Sequence, residues 1–182
     1  MAVVLIAAGI GIFFAVDSGD DGDGGKNSAH PHLPDSFAGY SQLHNAAADQ
    51  VENSMRSLGQ NMGGGAAARM FDAATIGVYG HNSGDVPVLI TLAVPTSAAG
   101  GGTSPDEITR QILSGATQDD QEFPAGGHGG STRCGLAQFG TVSETMCAWS
   151  DDAQSGVLVS VRESLSPADL ATLTQKFRDA VE

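Results

Sequence analysis

Apolar residues recur along the chain at two spacings, one typical of helices and one typical of strands. The first helical pattern covers about 46–59, where Asn45 is placed to cap the helix and Gly63 begins the glycine run that ends it. Four apolar positions fall on one face of this helix: Val51, Met55, Leu58 and Met62. We interpret the two methionines as core packing and not as ligands.

Strands are predicted where apolar residues occupy every second position. Residues 69–80 and 88–94 show this alternation on either side of a polar turn at 81–85, which predicts an antiparallel hairpin with one buried face. The positions on that face are Ala74, Ile76, Val78, Val88, Ile90, Leu92 and Val94. Three further strands are predicted, over about 132–139, 143–150 and 156–163.

Two later helices are predicted from the same starting signal, a serine followed by a proline and by an acidic residue in the first turn. They begin at Ser104 and Ser166. The residues expected to face inward are Ile108 and Ile112 in the first helix, and Leu170, Leu173, Phe177 and Val181 in the second. Lys176 and Arg178 lie late in the second helix, where positive charge interacts favourably with the helix dipole.

The elements predict an α+β fold for a domain spanning 33–182. Their order is α-β-β-α-β-β-β-α, and a short strand before the first helix is left open. This order predicts an antiparallel sheet of about five strands with about three packed helices, preceded by a separate N-terminal transmembrane helix. Residues 96–103 and 116–131 are predicted as loops, and the second is the segment expected to act as a lid if a ligand binds.

The N-terminal residues 1–16 carry no charged side chain and predict a transmembrane segment or signal anchor. A helix over 2–16 would cover about 23 Å of a hydrocarbon core about 30 Å thick, which is short. The alternatives are a cleaved signal peptide, disfavoured because no basic residue precedes the apolar run, and a buried core helix. Residues 17–32 predict a flexible, acidic, glycine-rich linker. Because no basic residue precedes Lys26, the following domain is expected to be extracytoplasmic.

Charge and composition exclude several classes of partner and cofactor. The chain has 21 Asp and Glu against 8 Lys and Arg, a formal net charge of −13, which argues against nucleic acid. Its two cysteines exclude a four-cysteine zinc or iron–sulfur site, and we predict no cofactor and no metal. His30 and His32 lack a fixed third ligand. An EF-hand beginning at Asp21 fails, because Gly25 and Lys26 occupy its fifth and sixth positions.

Cys134 and Cys147 are predicted to form a structural disulfide. If the two strands that carry them fold about Gly140 and Thr141, the cysteines lie directly opposite each other on one face. Opposed residues of an antiparallel pair have Cα atoms about 4.5 Å apart, within the range of roughly 4.4–6.8 Å that disulfides adopt. An extracytoplasmic location would let the bond persist. Free thiols and a redox-active pair are the alternatives. The face shared with the disulfide is expected to carry Trp149, Val157, Val159 and Val161.

Three short motifs carry a resemblance: Cys134-Gly135, Cys147-x-Trp149-x-Asp151 and the apolar run that begins at Gly156. Together with the C-terminal amphipathic helix, the chain resembles membrane-anchored extracytoplasmic proteins of actinobacteria. These combine an N-terminal membrane segment, an acidic glycine-rich linker and an α+β domain with one C-G…C-x-W disulfide hairpin. A looser similarity exists to the sensor domains of receptor Ser/Thr kinases. The resemblance implies a shared architecture and no catalytic residues.

No catalytic motif was found for hydrolysis, nucleotide binding or metalloprotease chemistry. His128 and Ser131 lie in and beside a glycine-rich loop and are only superficially similar to a hydrolase site. Asp119, Asp120 and Glu122 are interpreted as part of a solvated acidic loop. We therefore predict a non-enzymatic binding, sensing or accessory module of the cell envelope, anchored to the membrane through residues 2–16. Its partner would be another envelope protein or a small ligand. An envelope enzyme with an unrecognised site, or a purely structural component, are the alternatives.

Overall fold

The computed structural model describes residues 30–61, 66–82, 86–100, 102–114, 116–139 and 141–181. The segment 1–16, predicted to cross the membrane, and nearly all of the predicted linker lie outside these residues. Within them, no helix combines the length and the apolar character needed to span a bilayer.

The described residues contain eight strands, five α-helices and a short 3-10 helix at Gly126–His128. The helices are α1 (Ala46–Asn61), α2 (Ala66–Ala73), α3 (Thr96–Gly100), α4 (Pro105–Leu113) and α5 (Pro167–Asp179). The strands are β1 (Ser36–Phe37), β2 (Tyr40–Gln42), β3 (Thr75–Gly80), β4 (Leu89–Pro95), β5 (Thr117–Phe123), β6 (Ser131–Phe139), β7 (Val142–Ser150) and β8 (Gln154–Ser160).

All eight strands belong to one sheet, in the order β1-β2-β3-β4-β8-β7-β6-β5, and every neighbouring pair is antiparallel. The predicted sheet of about five strands with about three helices is therefore wrong, and the predicted N-terminal apolar helix lies outside the described residues. One short strand before the first helix was left open, and two short strands, β1 and β2, form there; strand β5 and helices α2 and α3 were not predicted. Their sequences are too short or too polar to show a hydrophobic repeat, and they are stabilised by pairing or packing against the rest of the sheet.

Helices cover both faces of the sheet. One hydrophobic cluster joins α1, α2, α3 and α4 to one face, through sheet residues that include Ile76, Leu92 and Val157. A second cluster joins α5 and the N-terminal segment to the opposite face, through residues that include Leu89 and Leu158. The domain is thus a sheet between two layers, and α4 and α5 lie on opposite sides of the same strands, β6 and β7.

The predicted hairpin of β3 and β4 forms with antiparallel pairing, but the expectation of a single buried face is wrong. Ile90, Leu92 and Val94 face the α1–α4 side, and the residues between them are also almost fully buried, with Thr91 at 0% exposed and Ala93 at 1%. A strand in the middle of a doubly covered sheet is apolar on both sides, so strict alternation is not required.

The predicted helix starts are confirmed by their capping hydrogen bonds. Ser104 Oγ accepts from the backbone N–H of Glu107, and Ser166 Oγ accepts from that of Asp169. Asn45 Oδ1 accepts from two backbone N–H groups of the first turn of α1, each at 3.1 Å. Six of the predicted inward helix positions are also buried: Val51, Met55, Ile108, Ile112, Leu170 and Phe177.

Three segments were predicted in the wrong state. Residues 69–73 belong to α2 and not to a strand, the predicted loop 96–103 contains helix α3, and the predicted loop 116–131 contains the seven-residue edge strand β5. Strand β5 has mostly exposed, polar side chains and pairs only with β6. Its backbone hydrogen bonds to β6 form the strand, and these leave no hydrophobic signal in the sequence.

Candidate functional site

The two cysteines form a disulfide across neighbouring strands. Cys134 in β6 faces Cys147 in β7, with an S–S distance of 2.03 Å and a Cα–Cα distance of 4.0 Å. The predicted register is confirmed along the whole β6–β7 ladder, which runs from Ser131 opposite Ser150 to Phe139 opposite Val142. Both cysteines are 0% exposed. The bond therefore ties two strands together at the centre of the α5-facing layer.

Trp149 packs in the same hydrophobic cluster as the disulfide, as predicted, together with Phe177 of α5. The two rings meet edge to face, with centroids 5.4 Å apart. A Cβ atom at Gly156, directly opposite Trp149, would lie only 2.6 Å from the indole ring, so glycine makes room for it. Val157, Val159 and Val161 were expected on this face and instead belong to the cluster on the opposite one. Trp149 pairs with Gly156, so Gly156 shares its face, and the three valines, at odd-numbered positions of β8 and directly after it, point to the opposite face. The register between β7 and β8 decides this, and a shift of one residue would reverse it.

A cavity of about 320 Å³ opens beside the end of α5. Trp149 and Phe177 contribute apolar surface to it, and the turn that joins β7 to β8 forms one side. The full lining comprises His128, Trp149, Asp151, Asp152, Ala153, Gln154, Phe177, Arg178 and Val181. This volume lies at the lower end of the range of small-molecule sites.

Arg178 is the buried charge in this wall, with a side chain only 3% exposed. Its Nη2 donates to Asp151 Oδ2 at 3.0 Å and to the carbonyl of Gly129 at 2.9 Å. Its Nη1 donates to the carbonyl of Ala125 at 2.8 Å and to Thr132 Oγ1 at 3.4 Å. The fifth donor, Nε–H, is buried and has no acceptor among the described residues. The guanidinium therefore joins α5 to the β7–β8 turn and to the segment before β6.

Asp151 is the partner that organises the turn. Its Oδ2 accepts from Arg178, while its Oδ1 accepts from the backbone N–H groups of Ala153 and Gln154, both at 2.8 Å. Aspartate is common in turns, and Asp151 here has a second role because it also pairs with the buried Arg178. Asp152 is exposed, lines the cavity and has no polar partner among the described residues.

Residues 124–130, here called the strap, lie next to the cavity and include its lining residue His128. Side chains of α5 hold the strap: Arg178 as above, Gln175 Nε2 on the carbonyl of Pro124, and Asp179 on His128 Nε2 at 2.8 Å. At Gly130 the backbone has φ +77°, and a Cβ atom would lie 2.0 Å from the carbonyl oxygen of Ser150. The strap is the part of the predicted loop 116–131 that lies beside the cavity, and it contains a short 3-10 helix at Gly126–His128.

The structure separates His128 from Ser131. Ser131 is 4% exposed and shares a hydrogen bond of 2.9 Å with Thr109 of α4, whereas His128 pairs with Asp179 of α5 on the other side of the sheet. These two residues therefore cannot act as a nucleophile and its base in this arrangement.

The acidic residues of β5 engage Arg133. Arg133 Nε donates to Asp120 Oδ2 at 2.6 Å, and its Nη1 lies 3.9 Å from Glu122. Asp119 is exposed and has φ 55° at the irregularity between the two paired parts of β5. No group of three potential metal ligands occurs among the described residues.

The two N-terminal histidines lie apart from the cavity. His30 Nδ1 lies 3.2 Å from the carbonyl oxygen of Ala73 at the end of α2, and the His32 side chain is exposed.

Sequence reasoning missed a polar cluster at the opposite edge of the α5 layer. Phe37 and Tyr40 are buried there and hold the N-terminal segment against the sheet. The Tyr40 hydroxyl donates to Glu163 Oε2 at 2.7 Å, Glu163 Oε1 contacts His81 Nε2 at 2.5 Å, and the Tyr40 and His81 rings stack with centroids 4.9 Å apart. Residues 82 positions apart in sequence carry no local signal of such a contact.

Burial and the hydrogen bond to Glu163 raise the pKa of Tyr40 to about 12, from an ordinary value of 10.0, and burial also raises the pKa of Tyr79. Because the folded state favours the neutral phenols, their contribution to stability is complete below pH 10 and is lost as pH rises through the folded-state pKa. In an absorbance titration at 295 nm the native protein should show almost no phenolate at pH 10, whereas the urea-unfolded chain should be about half ionised there. Half-ionised tyrosine in the native protein at pH 10 would contradict this assignment.

The fold is a single antiparallel sheet covered by helices on both faces. The candidate site is a small cavity with a fixed Arg–Asp pair in its wall. The chain matches no protein-family model, no curated protein and no solved structure.

Proposed function

We propose that the protein is a binding module of the cell envelope, anchored through residues 2–16, whose domain lies outside the membrane and takes a small ligand in the cavity beside α5. The cavity carries this proposal, because its lining combines apolar side chains, including Val181 and the edges of the nearly buried Trp149 and Phe177, with a few fixed polar groups, the usual composition of a ligand site. The similarity to anchored actinobacterial proteins belongs to the same proposal.

The disulfide supports the extracytoplasmic location. Disulfides persist in oxidising compartments and are rare where thiols are kept reduced. Cys134 and Cys147 are the two cysteines of the chain, and they are bonded and fully buried. This use of cysteine agrees with export by the apolar N-terminal segment.

The state of the polar groups supports binding rather than catalysis. General acid–base catalysis needs a side chain that can exchange a proton with a bound substrate. Both oxygens of Asp151 and four of the five donors of Arg178 already have protein partners, and His128 is paired with Asp179. These fixed groups therefore shape the cavity more than they offer reactive atoms, and Asp152 is the one lining carboxylate without a protein partner among the described residues.

The location can be tested with a C-terminal tag on the full chain in intact spheroplasts. External protease should remove the tag, and the protein should sediment with membranes. A chain lacking residues 2–16 is the matched control and should stay in the cytosol with its tag protected. A full-length protein whose tag is digested only after lysis would refute the extracytoplasmic location.

Binding can be tested by nuclear magnetic resonance on the full chain in a neutral detergent, against a set of small neutral, cationic and anionic organic compounds. We expect at least one compound to shift amide resonances confined to 149–154 and 177–181, together with the Trp149 indole N–H. Compounds that shift only other parts of the molecule would remove the cavity from the proposed function.

A further inference from the structure

We propose that the cavity beside α5 selects a small organic cation, an ammonium or guanidinium group on an apolar body, with Asp152 as its counter-charge. This inference rests on the proposed function, because it names the ligand class of the same site. A cation is favoured because the positive charge of the cavity wall is already paired within the protein, whereas one negative charge is not.

The positive charge of the cavity is not free to bind an anion. Arg178 is the cavity's one Lys or Arg, and it is 3% exposed and paired with Asp151. Its Nη1 and Nη2 donors point to four protein acceptors, and its remaining donor, Nε–H, is inaccessible. An anionic ligand would have to break these contacts before it could pair with the guanidinium. His128 is likewise turned to Asp179.

One acidic side chain of the cavity, that of Asp152, is free to pair with a ligand. The Asp152 carboxylate is exposed and has no hydrogen-bond or ion-pair partner among the described residues. The C-terminal end of α5 adds to this negative charge, because Phe177 belongs to the last turn of the helix and Val181 lies two residues beyond its end, where the helix dipole is negative. The Gln154 side chain, which also lacks a described partner, provides a neutral acceptor beside them.

The apolar part of the lining favours a cation with a hydrocarbon or aromatic body over a bare metal ion. Ala153 and Val181 supply most of this surface, because Trp149 and Phe177 also line the cavity but are only 2% and 1% exposed. Contact of these groups with the hydrocarbon body of a ligand would displace water from apolar surface. A bare ion would find one free carboxylate, which is too few ligands for Ca²⁺ or Mg²⁺. A volume of about 320 Å³ accommodates a single-ring amine.

Three probes with the same phenyl body and different charge separate this inference from simple hydrophobic binding: 2-phenylethylammonium, 2-phenylethanol and 3-phenylpropionate. Titrations use the full chain in a neutral maltoside detergent at pH 7.5, with dissociation constants taken from the shifts of Asp152, Gln154 and the Trp149 indole. We expect the cation to bind about fivefold more tightly than the alcohol, as one partly exposed charge pair allows, and the anion to bind most weakly.

Asp152→Asn should bring the dissociation constant of the cation to that of the alcohol and leave the alcohol unchanged. Asp49→Asn is the matched control, because Asp49 is an exposed carboxylate on α1, on the far side of the sheet, and should change neither. Equal or tighter binding of the anion, or a cation preference that survives Asp152→Asn, would overturn the inference and leave the proposed binding function intact. If no compound of any charge shifts the cavity residues, the inference and the proposed ligand site fail together, while the location is still decided by the protease assay.

Discussion

Replacing Arg178 with methionine is expected to lower the free energy of unfolding by about 3–5 kcal/mol, the usual cost of removing one partner of a buried ion pair. Methionine fills similar volume but leaves the Asp151 carboxylate, 19% exposed, without its cation. It also leaves the carbonyl groups of Ala125 and Gly129 without a donor. In urea denaturation the midpoint should fall, and the melting temperature should drop by about 10 °C.

Two further variants separate geometry from charge. Arg178→Lys keeps the charge but cannot present a planar fork to acceptors on three different segments, so an intermediate loss is expected. Lys176→Met removes an exposed charge from the same turn of α5 and should change stability by less than about 0.5 kcal/mol. Equal stability of the Arg178→Met variant and the natural chain would mean that the Arg178–Asp151 contact does not hold the cavity wall.

Removing the disulfide with the double change Cys134→Ala and Cys147→Ala is expected to cost about 3 kcal/mol. The bond closes a loop with a sequence separation of 13, and the chain-entropy model assigns roughly this amount to a loop of that length. Alanine is chosen because both sites are 0% exposed, and a serine would add the cost of burying a hydroxyl group. Denaturation curves of the oxidised protein and the double variant measure the difference.

The reduced natural chain is the matched control for the double variant, because it lacks the bond but keeps both sulfur atoms. Its unfolding midpoint should lie close to that of the double variant. Thiol labelling of the unreduced protein in urea should detect no thiol, and labelling after reduction should detect two. An unchanged midpoint on reduction, or thiols that react before reduction, would contradict a stabilising bond.

Local signals in the sequence predicted those elements whose ends or faces are fixed by nearby residues. The serine caps of α4 and α5 needed only the residues within three positions, and the β6–β7 register needed only a tight turn at Gly140 and Thr141. That register placed Cys134 opposite Cys147, so the disulfide followed from the sequence. A hairpin brings its partners together through a short connection, and for this reason its contacts can be read from spacing.

The cavity could not be predicted, because its walls come from segments that are far apart in sequence. Arg178 was interpreted only as a favourable charge near the end of a helix, yet it is buried and binds a turn 27 residues away and the strap 49 to 53 residues away. Asp151 gave the signal of an ordinary turn. No pattern within either segment indicates that they meet, since the meeting depends on how α5 crosses the sheet.

The sequence by itself determined the capped helices α4 and α5, the β3–β4 hairpin, the β6–β7 register and its disulfide, because each depends on interactions over a few residues or across one short turn. The tertiary structure alone decided that eight strands form one sheet, that helices cover both of its faces, and that α5 ends beside the β7–β8 turn. These features depend on which distant surfaces exclude water together. The polar strand β5, the burial of Arg178 and the free carboxylate of Asp152 all follow from that arrangement.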